Sequence, residues 1–367
     1  MLSTPAKKNL EHISNYGIDD LLKMAIQRRA SDLHLTTELP PQVRVDGRLR
    51  NLDFEPLSAL DCQRIIFSAL NDRQVAEFET KLELDLSYGI SGLGRFRVNV
   101  YRQRGSVGAA FRVIPTTIPT FDELNLPGVL HDLCRRTSGM ILVTGPTGCG
   151  KSTTLAAMID HVNRTQEGHI ITLEDPIEYL HRHRRCMINQ REIGSDTRDF
   201  ATALRSVLRE DPDVVLVGEM RDLETISTAL TVAETGHLVL GTLHTRNAPQ
   251  SIDRIIDVFP PHQQEQIRVL LAGTLEAVVA QQLLPTYGRA GRVPVTEVLI
   301  ATSGVRNLIR EAKTHQIYSL IETGAEEGMQ TMDRDLARLV RSGQVSLEEA
   351  QVRAVDGDSF RRWLTMI

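Results

Sequence analysis

The sequence predicts a two-domain α/β chain. A small mixed α+β domain spans 1–112, a linker 113–120, and a nucleotide-binding domain with a helical C-terminal cap 121–367. Three observations carry this. A length of 367 residues exceeds one ordinary core. Between Phe121 and Arg246, short apolar runs alternate with helical stretches, the pattern of a parallel sheet covered on both faces. Most specific is the octet Gly145-Pro146-Thr147-Gly148-Cys149-Gly150-Lys151-Ser152, which fits G-x-x-x-x-G-K-[ST], the phosphate-binding loop.

The first domain opens with an amphipathic helix, Ile18 to Ala30, whose apolar residues recur at helical spacing. Ser31 to Thr36 alternates as a strand. Gln42 to Leu49 reads as a hairpin around Asp46-Gly47. Helices are expected at Ser58 to Leu70 and Asp72 to Phe78, then strands at Leu82 to Tyr88, Gly94 to Tyr101 and Val107 to Val113. Pro115 and Pro119 mark the linker as extended.

The phosphate loop has the context its chemistry requires. An apolar strand, Gly139 to Thr144, leads into it, and a helix beginning with Thr153 leads out, so the helix N-terminus faces the phosphates. The glycines let backbone N–H groups converge on phosphate oxygens. Lys151 is placed to reach the β and γ phosphates of ATP, and Ser152 to ligate Mg²⁺. Cys149 lies within the loop and is expected to be accessible without nucleotide.

Hydrolysis also needs carboxylates. An apolar strand from His169 ends in Glu174, Asp175 and Glu178. A second, Val214 to Val217, ends at Glu219, with Gly218 where an aspartate is usual. Carboxyl ends of parallel strands are where an open α/β sheet places its site. Glu219 and Glu178 are the catalytic candidates. A third strand, Leu238 to Leu243, is bracketed by His237 and His244, candidate sensors of the γ-phosphate. Beyond Arg246 the pattern reads as mostly helical, with helices at Val305 to Glu311, Thr314 to Glu322, Asp333 to Ser342 and Ser346 to Ala354.

Composition narrows the function. A net charge of −5 gives no support for nucleic-acid binding. The basic run His181 to Arg185 reads as a solvated loop. The four cysteines form no C-x-x-C pair, so neither a zinc site nor a disulfide framework is expected. No apolar run approaches the roughly 20 residues of a membrane span, and the polar 1–10 segment lacks a signal peptide's apolar core. The chain is expected in the cytoplasm, at most peripheral to a membrane.

Taken together, the loop at 145, EDPIE at 174–178, VGEMRDLETI at 217–226 and TGHLVLGTLHT at 235–245 resemble the secretion ATPase superfamily. ASDLHL at 30–35, GRFRVNVY at 94–101, NQREIG at 189–194, Arg306 to Glu311 and GMQTMD at 328–333 resemble its type IV pilus retraction branch, the PilT family. NQREIG matches that family's central loop. The resemblance covers about residues 17 to 350. It implies a PAS-like N-terminal domain, a RecA-like ATPase domain and a homohexameric ring. It further implies a motor that couples ATP hydrolysis, with Mg²⁺, to pilus retraction at the cytoplasmic face of the inner membrane. Its partners would be a membrane platform protein and a paralogous retraction ATPase. Lys151 and Ser152 take the phosphate and Mg²⁺ roles, Glu178 and Glu219 hydrolysis, His237 and His244 sensing. Residues 304–305 are Gly-Val where the branch has Ala-Ile. An accessory paralogue and a type IV secretion ATPase therefore stay open. So does a nucleotide-gated binding module, which the intact carboxylates and histidines disfavour.

Phosphoryl transfer also calls for a cation on the far side of the γ-phosphate, and an arginine supplied in trans is one solution. Arg95, Arg97 and Arg112 are the candidates. Alternation puts Arg95 and Arg97 on one face of their strand. Arg306, Asn307, Arg310 and Glu311 are expected on one side of a short helix, needed for mechanical work more than for chemistry.

Overall fold

The computed structural model describes residues 11–115, 117–288 and 291–366, so the polar 1–10 segment and linker residue 116 lie outside the described residues. The chain divides into two compact units between residues 116 and 117.

In the first unit, α1 (Ile18–Gln27) buries Ile18, Leu21, Leu22 and Ala25, one face of a helix. β1 (Asp32–Leu35) is followed by the hairpin β2 (Gln42–Val45) and β3 (Arg48–Asn51). Asp46 and Gly47 both have positive φ, 49° and 76°, as a two-residue I′ turn demands. α2 (Ala59–Phe67) and α3 (Asp72–Lys81) start at Ser58 and Asn71, each in a capping box. β4 (Glu83–Ile90), β5 (Gly94–Gln103) and β6 (Ser106–Ile114) complete an antiparallel sheet of order β3-β2-β1-β6-β5-β4. β6 runs into the expected linker and ends at Ile114, because Arg95 and Phe96 of β5 still pair with Ile114 and Val113. Phe78, Phe96 and Phe111 fill the core.

The second unit follows the expected alternation. Its elements begin α4 (Val129–Leu133), β7 (Gly139–Thr144), α5 (Lys151–Thr165), β8 (Gly168–Glu174), β9 (Cys186–Glu192) and α6 (Phe200–Val207). β10 (Val214–Val217), α7 (Leu223–Glu234), β11 (Leu238–Leu243), α8 (Ala248–Asp257) and α9 (Pro261–Thr274) come next. β12 (Leu275–Pro285) and β13 (Arg292–Ile300) precede the terminal helices α10 (Ser303–Arg310), α11 (Ile317–Thr323), α12 (Met332–Arg341), α13 (Leu347–Arg353) and α14 (Gly357–Met366).

The sheet order is β13-β12-β7-β11-β10-β8-β9, parallel except for the antiparallel β12–β13 pair. Its central strands are buried on both faces. Met140 and Leu142 of β7 face one core layer, Ile141 and Val143 the other. The region after Arg246 is mostly helical, as expected, but it also holds β12 and β13, which extend the sheet past the phosphate-loop strand. One expectation is corrected: NQREIG is not simply a loop, because Asn189 to Glu192 pair in register with β8. No helix among the described residues is long and apolar enough to cross a membrane.

Candidate active site

β7 is flanked by β11 and β12, so the loop after it opens where connections leave in two directions, the usual crevice of an open α/β sheet. Two glycines of the loop are dictated by what lies beneath. A Cβ at Gly145 (φ 143°) would sit 2.3 Å from the Gln281 carbonyl oxygen. One at Gly150 (φ 93°) would sit 2.8 Å from Gln281 Nε2. Gln281 of β12, 2 % exposed, is the strut under the loop. Its Nε2 donates to Cys149 O at 2.7 Å, and its Oε1 accepts from Thr154 Oγ1 at 2.8 Å. Sequence reasoning missed it; the one signal was a polar Gln-Gln pair inside an apolar run. Cys149 is buried against this strut, and burial raises its thiol, so the expected accessibility is not found.

Lys151 Nζ donates to Gly145 O at 2.8 Å and to Pro146 O at 3.1 Å, arching over the loop. Around it opens a cleft of about 440 Å³, lined by Thr147, Gly148, Gly150, Ser152 and Thr153 from the loop and first turn. Glu174, Asp175 and Glu178 line it beyond β8, Glu219 beyond β10 and His244 beyond β11. The cleft thus gathers the carboxyl ends of four parallel strands. Tyr179, hydrogen-bonded to Thr153 Oγ1 at 2.9 Å, and Arg292 at the start of β13 also line it, and neither was anticipated.

The carboxylates separate into roles. Glu174 accepts from Thr172 Oγ1 at 2.6 Å and Gln190 Nε2 at 3.1 Å, and burial pushes its carboxyl up, so it braces β8 against β9. Glu178 is exposed in the cleft. Glu219 Oε1 lies 2.5 Å from His244 Nε2 and also takes the Arg221 guanidinium. Gly218, in place of the usual aspartate, has a packing reason. A Cβ there would lie 3.0 Å from Leu173 O and 3.2 Å from Glu174 Cα. Its carbonyl accepts from Thr242 Oγ1 at 2.6 Å, tying β10 to β11.

His237 does not join this cleft. It precedes β11, with its carbonyl accepting from Gly139 N and its Nδ1 3.0 Å from Val232 O. Six strand residues, roughly 20 Å, separate it from His244. Of the two candidate sensors, only His244 lines the cleft. Residues 182–185 of the basic run are exposed, as expected, although Arg184 pairs with Asp160 and Arg185 with Glu167. His181 departs from that reading: it lines the cleft, its imidazole pKa lowered to about 4 by burial.

Arg95, Arg97 and Arg112 belong to the first unit. Arg97 is directly opposite Arg112 across β5–β6, on the face away from buried Phe96, Val98 and Phe111. Arg112 Nε pairs with Asp32 Oδ1 at 2.9 Å. Burial pushes the Asp32 carboxyl up, but hydrogen bonds from Ser31 and Arg112 outweigh it and hold it below its ordinary value.

Comparison with known proteins settles the family. A model of the type II/IV secretion system protein family matches residues 120–352. The chain is 49 % identical to the type IV pilus retraction ATPase PilT of Pseudomonas aeruginosa, over 94 % of this chain and 99 % of that one. The chain belongs to the PilT family of type II/IV secretion proteins. A twitching motility protein of Neisseria gonorrhoeae is 48 % identical over 94 % of this chain and 92 % of its own length. A crystal structure of the pilus retraction motor PilT with bound ADP superposes with a TM-score of 0.88, covering 95 % of this chain and 99 % of that one at 49 % identity. Membership extends to both units, so the family's N-terminal part is present along with its nucleotide-binding part.

Proposed function

We propose that this chain is the Mg²⁺-dependent ATPase motor of type IV pilus retraction, working as a homohexamer at the cytoplasmic face of the inner membrane on a platform protein, beside a paralogous retraction ATPase. The observation that carries the chemistry is the meeting of Glu219 and His244 at 2.5 Å in the cleft that Lys151 and Ser152 line. The match to PilT over nearly the whole of both chains supports the cellular role.

The residues fit the reaction. The loop's left-handed glycines and the start of α5 converge N–H groups where phosphate oxygens would sit. Lys151, held among the described residues by two loop carbonyls, is a cation ready to exchange them for β and γ phosphate oxygens. Mg²⁺, brought in with the nucleotide and held by the Ser152 hydroxyl, would supply further positive charge against the same oxygens. Glu219 orients the attacking water and accepts its proton, with His244 fixing the carboxylate on one side. Glu178, exposed in the cleft, is the second carboxylate.

Lys151→Ala should lower ATP turnover by at least about 100-fold and weaken nucleotide binding, because a charge-assisted contact to the phosphates is lost. Phosphate release and fluorescent-nucleotide titration measure the two. The same substitution in cells should abolish twitching while pili persist. Turnover at the wild-type rate would remove the loop from the active site. Lost turnover with normal twitching would remove pilus retraction from the function.

A further inference from the structure

Glu297 of β13 is 1 % exposed and shares its strand face with Leu299, in the core layer under α8 and α9. A carboxyl group buried like this is costly without a partner. Among the described residues it has no ion pair with lysine or arginine. Its partner is an amide: Oε1 accepts from Ala248 N at 2.8 Å. Ala248 is the first residue of α8, and its N–H is one of the four at a helix start with no intrahelical acceptor. Burial raises the Glu297 carboxyl to about 7, with the Ala248 amide holding it down and Asp333 of α12 adding to the rise.

What α8 begins next to gives this contact a function. Only Thr245, Arg246 and Asn247 separate its first residue from His244. That segment is tied at several points. Asn247 caps α8 by accepting from Gln250 N at 2.9 Å. Ser251 Oγ donates to Asn247 O at 2.7 Å and lies 2.6 Å from Thr245 Oγ1. It also lies 3.5 Å from Thr144 Oγ1, at the end of β7. The position of His244 against Glu219 therefore depends on where the first turn of α8 is held.

We propose that Glu297 is a positioning residue for His244: by clamping the first turn of α8 to the edge strand β13, it holds the imidazole against the Glu219 carboxylate. The role rests on the ATPase reading above and extends it to a residue outside the cleft.

The full chain serves as the test, with ATP turnover and ADP affinity measured separately. Glu297→Leu removes the acceptor at similar volume. It should lower kcat about 10-fold while ADP affinity stays within about threefold, since the phosphate loop is untouched. Glu297→Gln keeps an acceptor oxygen and should restore kcat to within about twofold of wild type. Added to His244→Ala, Glu297→Leu should slow turnover no further, because both act through one contact. Independent, multiplying losses would overturn the proposal, as would wild-type turnover by Glu297→Leu. Ala248→Pro removes the donor instead, at a helix position where proline is tolerated. It must reproduce the kcat loss even if Glu297→Leu does not fold, and wild-type turnover by it is equally fatal. Unchanged turnover by His244→Ala would instead sink the site reading itself, and the proposal with it.

Discussion

Glu219 uses one oxygen, Oε1, for both His244 and Arg221, so among the described residues the other carboxylate oxygen is left for the water of the proposed reaction. A glutamine keeps an acceptor for those two partners but is a poor proton acceptor. Glu219→Gln should therefore bind nucleotide within a few-fold of wild type and lose roughly 10²- to 10⁴-fold in turnover. Single-turnover phosphate release checks this, and hydrolysis within a few-fold of wild type would assign the carboxylate role elsewhere. At this scale the sequence was informative wherever chemistry is local. Lys151, Ser152, Glu178 and Glu219 were legible because loop, strand end and carboxylate are contiguous in the chain. Gln281 was not, because its task is set by Cys149 and Thr154, more than 120 residues away. His237 was misplaced for a related reason. Flanking a strand is one-dimensional proximity, and a strand puts its two ends at opposite edges of the sheet.

At the scale of elements, the hairpin β12–β13 was missed because both faces of β12 are buried, which erases the alternation that marks a strand. Pro294 argued further against a strand in β13, yet β13 is the sheet edge, where proline is tolerated. Helix α10 was found, but its residues do not share one task. Arg306 donates to Ala272 O, Gly273 O and Ala301 O at 2.7, 2.9 and 2.9 Å, and pairs with Glu276 at 2.7 Å. It closes the C-terminal end of α9, where carbonyls lack partners and a cation is favoured. Arg310 is exposed. Arg306 thus carries a structural task that the sequence did not show, beside the mechanical work expected of both arginines. Arg306→Ala should cost about 2–3 kcal/mol of stability through lost charge-assisted bonds, seen as a lower Tm. Arg310→Ala should stay within about 0.5 kcal/mol of wild type, keep ATP turnover and abolish retraction. Equal Tm for the two variants would contradict the first assignment, and normal twitching by Arg310→Ala the second.

For the whole molecule, the question is where the cation opposite Lys151 comes from. Like charges directly opposed in a sheet, as Arg97 and Arg112 are, cost about 0.2–1 kcal/mol unless a counter-charge meets them. Asp32 answers Arg112. Arg97 is exposed, and in the proposed ring the remaining demand would be met by a neighbour's nucleotide. If so, the triple variant Arg95→Ala, Arg97→Ala, Arg112→Ala should be inactive alone, as should Glu219→Ala. Each lacks a different half of a shared site. In a ring assembled randomly from equal amounts of both, about a quarter of interfaces would join an intact Glu219 to an intact arginine set, and an arginine in trans is worth roughly 10³–10⁵ in rate. The mixture should therefore recover turnover far above either parent, toward a quarter of wild type if interfaces fire independently. Native mass spectrometry establishes that mixed rings form. Mixed rings with no recovered ATP hydrolysis would show that the three arginines do not complete a neighbour's site.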